Sequence, residues 1–203
     1  MKKNFLKTAF TLLELLVVIS IIAIMASLAL PHIMTALVKG QMLQTLNNER
    51  QLYLATQAMA MDAATSNAVN VGWPGDMASP SFAAWATALC SGYLSTTDFC
   101  KFCSAPGVIV PTDKIPTTIS ETAFNGYALQ EESEGNAIFL ITRNAVLHGS
   151  GADTSVTFDA AAKPYGNKGC VIIHRGGDAT ILLPNQATNT RILGVVATNA
   201  IAM

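Results

Sequence analysis

The sequence predicts an α+β chain: one long amino-terminal helix, its first half transmembrane, packed on a small antiparallel β-sheet. Three observations carry this. Residues 10–30 form an unbroken apolar run with a single charge, Glu14. Good helix formers continue from 32 to 64 without a proline. From Phe124 onward the pattern changes to short β-branched and aromatic runs separated by turn residues.

Composition agrees with a membrane segment. Of 203 residues, 51% are apolar and only 12% charged, against about 25% charged in an ordinary soluble domain. That length suits one domain with an appendage. The 12 basic and 13 acidic residues leave a net charge of -1. No global basic excess exists, so nucleic-acid binding through counterion release is not expected. The charge is unevenly placed, however. Lys2, Lys3 and Lys7 crowd the first nine residues with no acid among them. A basic leader before an apolar run places the leader in the cytoplasm.

The apolar run reads FTLLELLVVISIIAIMASLAL and is 21 residues long. About 20 helical residues span the ~30 Å hydrocarbon core. A cleaved secretory signal has a shorter apolar stretch, followed by a small-residue cleavage site. Here the helical pattern runs on instead, through Lys39-Gly40-Gln41 into LNNERQLYLATQAMAMDAA. A signal anchor would explain the hydropathy but not Glu14. A carboxylate inside a membrane span is costly and marks function. The next basic residue, Lys39, lies ~37 Å away along a helix. The expected partner is therefore on another molecule, or is an amino terminus created by cleavage.

KTAFTLLELLVVISIIAIMASLALP resembles the amino-terminal segment of the type IV pilin and type II secretion pseudopilin superfamily. In that family a short basic leader ending in a small residue, usually Gly, is removed before a Phe. A Thr, a Glu at the fifth mature position and a Pro at about the twenty-second follow. Here these are Phe10, Thr11, Glu14 and Pro31, with Ala9 where Gly is common. The resemblance implies cleavage after Ala9 and N-methylation of Phe10 by prepilin peptidase. It also implies that Glu14 of one subunit meets the Phe10 amine of a neighbour. Glu14 and Pro31 thus become assembly residues. Pro31 removes a backbone donor and is expected to kink or loosen the helix.

The resulting organisation is a cytoplasmic leader 1–9, cleaved; a transmembrane and assembly helix 10–34; and an extracytoplasmic head 35–203. In the head, an amphipathic helix is expected to about 64, with Val38, Met42, Leu46, Tyr53 and Ala60 on its inner face. A loop follows, with a short helix at 80–91 announced by Ser79-Pro80 and stopped by Gly92. Residues 93–120 read as irregular. A sheet spans about 124–184 through FNGYALQ, AIFLITRN, SVTF and GCVIIHRGGDATILLP. Arg175-Gly176-Gly177-Asp178 reads as a hairpin turn. The tail 185–203 carries no clear pattern. These strands support the pilin-like fold independently of the amino-terminal resemblance.

Cys90, Cys100, Cys103 and Cys170 lie beyond the membrane segment, on the oxidising face, so disulfides are expected, with three pairings open. The alternatives for Cys100-Lys101-Phe102-Cys103 are half a zinc site or a redox motif. Glu131, Glu132, Glu134 and Asn136 could hold calcium through hard oxygen ligands or form a solvated turn. Some secretion pseudopilins bind calcium in a nearby loop, but their Trp-Ser-x-Gly-x-Asp-Gly pattern is not present here. His148, Ser150 and Asp153 sit within six residues in a Gly-rich turn. A triad needs rigid, separately supplied groups, so an enzyme is not expected, nor is a resident cofactor.

The expected function is a filament subunit, either a type II secretion pseudopilin or a minor pilin. Its partners would be like subunits, other pilins, prepilin peptidase, an inner-membrane assembly platform and the lipid bilayer. The expected location is the inner membrane, single-pass, with the head periplasmic or extracellular and then in the filament. A major type IV pilin is one alternative. Another is a signal-anchored extracytoplasmic binding protein that never polymerises.

Overall fold

The structure is a computed structural model that describes residues 10–66, 71–149, 154–186, 194 and 201–202. It divides into two compact units, Met1–Lys39 and Gly40–Met203. The expected leader 1–9 and most of the tail lie outside the described residues.

The first unit is helix. α1 runs Leu12–Ser66 and contributes to both units. It is long and apolar enough to cross a membrane. Its large apolar residues up to Leu37 are exposed on every side. The few hydroxyls turn back onto their own helix. Ser20 donates to the Val17 carbonyl and Ser27 to that of Ile24, both at 2.8 Å. Thr35 donates to the Pro31 carbonyl at 3.0 Å. Such internal satisfaction is what hydrocarbon surroundings demand. The helix continues through Pro31.

In the second unit α1 buries Met42, Thr45, Glu49, Leu52, Thr56, Met59 and Ala60. From Met42 to Met59 the steps alternate between three and four, which keeps one narrow face turned inward. This corrects the expected face. Met42 and Ala60 belong to it, whereas Leu46 and Tyr53 are only partly buried. Three of the true positions are polar, so hydropathy hides them.

α2 spans Phe82–Gly92, and its cap is Ser81, which accepts from the Ala84 N–H at 3.2 Å. The expected start at Ser79-Pro80 was too early, because Ser81 places a hydroxyl three residues before a free amide. α3, Thr96–Phe102, was not expected at all. Seven residues are too few for periodicity to show. Ser95 nonetheless caps it, accepting from the Asp98 N–H at 3.1 Å.

The strands are β1 Phe124–Ala128, β2 Ile138–Thr142, β3 Ala145–His148, β4 Ser155–Phe158, β5 Cys170–His174, β6 Ala179–Leu182 and β7 Ile201–Ala202. Five form one antiparallel sheet in the order β6-β5-β2-β1-β7. Its central strands β2 and β5 are buried at all five positions, which explains their continuous apolar sequences. The β5–β6 turn is the expected hairpin, with Gly177 at a φ of 87° that disfavours any side chain. SVTF does not join this sheet. It pairs with β3 as a separate two-stranded ribbon.

The core of the head is aromatic. Trp73 meets Phe139 edge-on at 5.1 Å, and Trp85 meets Phe139 and Phe99, each at 5.8 Å. The Trp85 indole N–H donates to the Thr56 hydroxyl at 3.0 Å, and that hydroxyl donates to the Leu52 carbonyl at 2.8 Å. α1 is thereby joined to α2 inside the core.

Glu49 shares that inward face and is fully buried, with no hydrogen-bond partner for either carboxylate oxygen among the described residues. Burial pushes its carboxyl well above the usual carboxylate range, because the charged form loses its water. Beside it, Tyr165 shares a 2.6 Å hydrogen bond with Thr45 and donates to the Gln41 carbonyl at 3.0 Å.

Two outcomes follow from this core. Thr56→Val keeps the shape but strands the Trp85 N–H. It should cost about 1–3 kcal/mol of head stability, read from the denaturant midpoint by tryptophan fluorescence, with Thr56→Ser close to wild type. Glu49 gives a pH signature. The folded head keeps it protonated while the unfolded chain ionises it near 4.5, so the folded state binds more protons and stability falls as pH rises from about that value. Glu49→Gln should flatten this fall between pH 5 and 8 in thermal unfolding and match wild type most closely below pH 4.5. An unchanged slope would contradict the buried neutral acid.

Candidate functional site

Ala9 lies outside the described residues, and Phe10 is exposed just before the helix. Thr11 and Glu14 form a reciprocal cap. The Thr11 N–H and hydroxyl donate to Glu14 Oε2 at 2.9 and 2.8 Å, and the Glu14 N–H donates to Thr11 Oγ1 at 3.2 Å. This is the capping-box arrangement, a Thr followed three residues later by a Glu. The sequence reading missed it, although Thr-Leu-Leu-Glu is its signature. The cap gives Glu14 a role inside its own chain, next to the positive end of the helix dipole. Among the described residues no cation forms an ion pair with it. Pro31 lies further along the same apolar, exposed stretch of α1.

The cysteines do not stand as the expected disulfides. All four are thiols in the structure, with Cys90 partly exposed and Cys100, Cys103 and Cys170 buried. Cys90, Cys100 and Cys103 gather on α2 and α3, whereas Cys170 opens β5. Burial raises all four thiols, most strongly Cys103 and Cys170. Cys100 and Cys90 add to the rise at Cys103, and Glu49 adds to the rise at both Cys103 and Cys170.

The acidic turn serves packing. Glu131 holds Arg175 in an ion pair of 2.8 Å, and its carbonyl also receives the Arg175 guanidinium. Arg175 lies over the Trp73 ring, 5.2 Å from its centre. Among the described residues no three His, Cys, Asp or Glu come together as a metal group. Glu131, Glu132 and Glu134, considered with Asn136 from the sequence, do not form such a group. Adjacent acids along a turn need not converge, and Arg175 already occupies Glu131.

Of the turn residues considered for hydrolysis, His148 shares a hydrogen bond with the Thr157 hydroxyl at 2.7 Å. Ser150 and Asp153 lie outside the described residues. His174 is buried in β5 and meets the Asp178 carboxylate at 2.6 Å across the hairpin turn.

Comparison with known proteins bears on the amino-terminal segment. Residues 6–30 match the prokaryotic N-terminal methylation motif. The chain is also similar to the type IV major fimbrial protein FimA of Dichelobacter nodosus, 29% identical over 70 residues. That alignment covers 34% of this chain and 45% of the fimbrial protein, so the chain spans less than half of that relative. No solved structure matches. The motif and the fimbrial relative together support a type IV pilin-like superfamily for this chain.

Proposed function

We propose that the chain is a structural subunit of a type IV-like filament, as a type II secretion pseudopilin or minor pilin. One observation carries this reading: a capped helix whose first half is apolar, exposed on all sides and covered by the methylation motif, and which leads into a head with its own core. A helix apolar on all sides is stable only in lipid or among other helices. Before assembly, residues 10–34 lie in the inner membrane with the leader cytoplasmic and the head outside. Prepilin peptidase cuts after Ala9 and methylates Phe10. An assembly platform then moves the helix from lipid onto like subunits. The major fimbrial protein among the relatives favours a second reading, a major pilin.

Glu14 acts at two moments in this scheme. In the single chain it caps α1. In the filament it meets the Phe10 amine of a neighbour, where low dielectric makes the charge pair strong and its loss costly. A position that admits only one charged partner selects one register between otherwise uniform apolar helices, as a buried polar residue does in a coiled coil.

The mature chain should begin at Phe10 and be heavier by one methyl group, about 14 Da. Intact mass spectrometry of membrane or filament fractions reads this, and a chain retaining Met1 or cut near Ser27 would overturn it. Two variants separate the roles of Glu14. Glu14→Leu removes both cap and charge, whereas Glu14→Gln keeps a side chain suited to the cap and removes only the charge. Both should be processed yet lose roughly tenfold or more of the sheared-filament yield. Normal yield from Glu14→Gln would assign Glu14 to capping alone.

A further inference from the structure

A collar closes on α1 where it begins its course through the head. The Tyr165 hydroxyl donates to the Gln41 carbonyl at 3.0 Å and shares its 2.6 Å bond with Thr45. Gly169 lies against Met42, whose Cε is 3.3 Å from the place a Cβ on that glycine would occupy. Lys163 and Lys168 flank these contacts, and both are exposed. Neither forms an ion pair among the described residues. Asp159 is the only acid in 159–169, and it accepts from the Ala161 N–H at 2.9 Å. α1 itself carries Lys39 just before Gln41 and has no acid between Glu14 and Glu49.

A tight turn stands beside the collar. It runs from Ala105 to Val108, whose N–H donates to the Ala105 carbonyl at 3.0 Å. Pro106 at its second position and Gly107 at a φ of 79° are what a type II turn requires. The Lys163 stem lies across this turn, with Cδ 3.0 Å from the place a Cβ on Gly107 would take. Val108 and Val110 pack on the core, whereas Ile109 between them is 92% exposed. It is the most exposed large apolar side chain among the described residues, ahead of Leu12 at 81%.

We propose that this end of the head docks on an anionic lipid surface, with Ile109 entering the headgroup layer and Lys163 and Lys168 meeting the negative headgroups. This rests on the reading above, in which residues 10–34 lie in the membrane.

Chain connectivity brings the surface within reach. The stretch of α1 whose apolar side chains are exposed on every side ends at Leu37. From there to Gln41 is ~6 Å of helix, about one turn. The chemistry of the patch fits lipid. Lysine stems lie along apolar surface while their amines reach charged headgroups, and each basic group held near an anionic leaflet adds to the attraction. An aliphatic side chain ringed by cations is also the pattern of interfacial amphipathic helices. Because the turn is already closed and anchored by Val108 and Val110, little ordering remains to be done on docking.

The test uses full-length protein with Ile109→Trp, reconstituted into vesicles of phosphatidylglycerol or of phosphatidylcholine. The wild-type spectrum is subtracted, since Trp73 and Trp85 are buried in the core. In phosphatidylglycerol the introduced indole should shift its emission to the blue and lose intensity when the acyl chains are brominated. Both effects should weaken in phosphatidylcholine and at high salt. Adding Lys163→Glu with Lys168→Glu should bring the phosphatidylglycerol signal down to the phosphatidylcholine level. Lys163→Gln with Lys168→Gln should do the same without placing new acids near Asp159, and protease resistance of the head reports folding in each variant. An unquenched indole in protein that resists carbonate extraction would overturn the docking and leave the membrane reading standing. A blue shift without quenching would mean contact with protein, such as a second copy, and would also overturn it. Quenching that survives loss of both lysines would refute the anionic preference. Release of the protein by carbonate would remove the membrane reading, and the docking with it.

Discussion

The head is organised against one face of α1. Met42, Leu52 and Met59 are fully buried there, and between them Thr56 holds the Trp85 indole in place. Trp85 in turn touches Phe139 of the central strand β2 and Phe99 of α3. One hydroxyl thus fixes where an aromatic ring stands, and that ring sets the spacing among helix, sheet and αα-hairpin. Close packing passes such a constraint on, because interiors have little free volume to absorb a shift.

The same helix carries two kinds of surface. Up to Leu37 its large apolar side chains are exposed all round, and its hydroxyls are satisfied within the helix. From Met42 onward it is one-sided, with its inward face interrupted by Thr45, Glu49 and Thr56. Thr45 and Thr56 are satisfied by hydrogen bonds to Tyr165 and to the Leu52 carbonyl. Glu49 is not, and it remains in the core as a neutral acid. Burying an unpaired carboxyl costs stability.

The turn 130–136 shows how a suggestive sequence becomes a packing device. Its acidic residues suggested a cation site. The cation present is Arg175, anchored by Glu131 and stacked over Trp73. Backbone bonds from Arg175 and Gly176 to the Ala137 and Gly135 carbonyls, 2.8 and 2.7 Å long, lock the two turns together. A guanidinium suits this place because it can pair with a carboxylate and lie on an indole at once.

The amino-terminal helix, its apolar length, the spacing of Phe10, Glu14 and Pro31, the central strands β2 and β5 and the Gly-Gly hairpin were legible in the sequence. Each depends on local or periodic chemistry: an apolar run, a helical or strand period, or a turn that needs glycine. The Thr11–Glu14 cap was equally local and could have been read from Thr-Leu-Leu-Glu. Other features depended on which residues meet across the fold. α3 is too short to show a period. The inner face of α1 includes polar residues that are buried only because Trp85 and Tyr165 come to meet them. SVTF pairs with β3 and not with the main sheet, since alternation marks a strand without naming its neighbour.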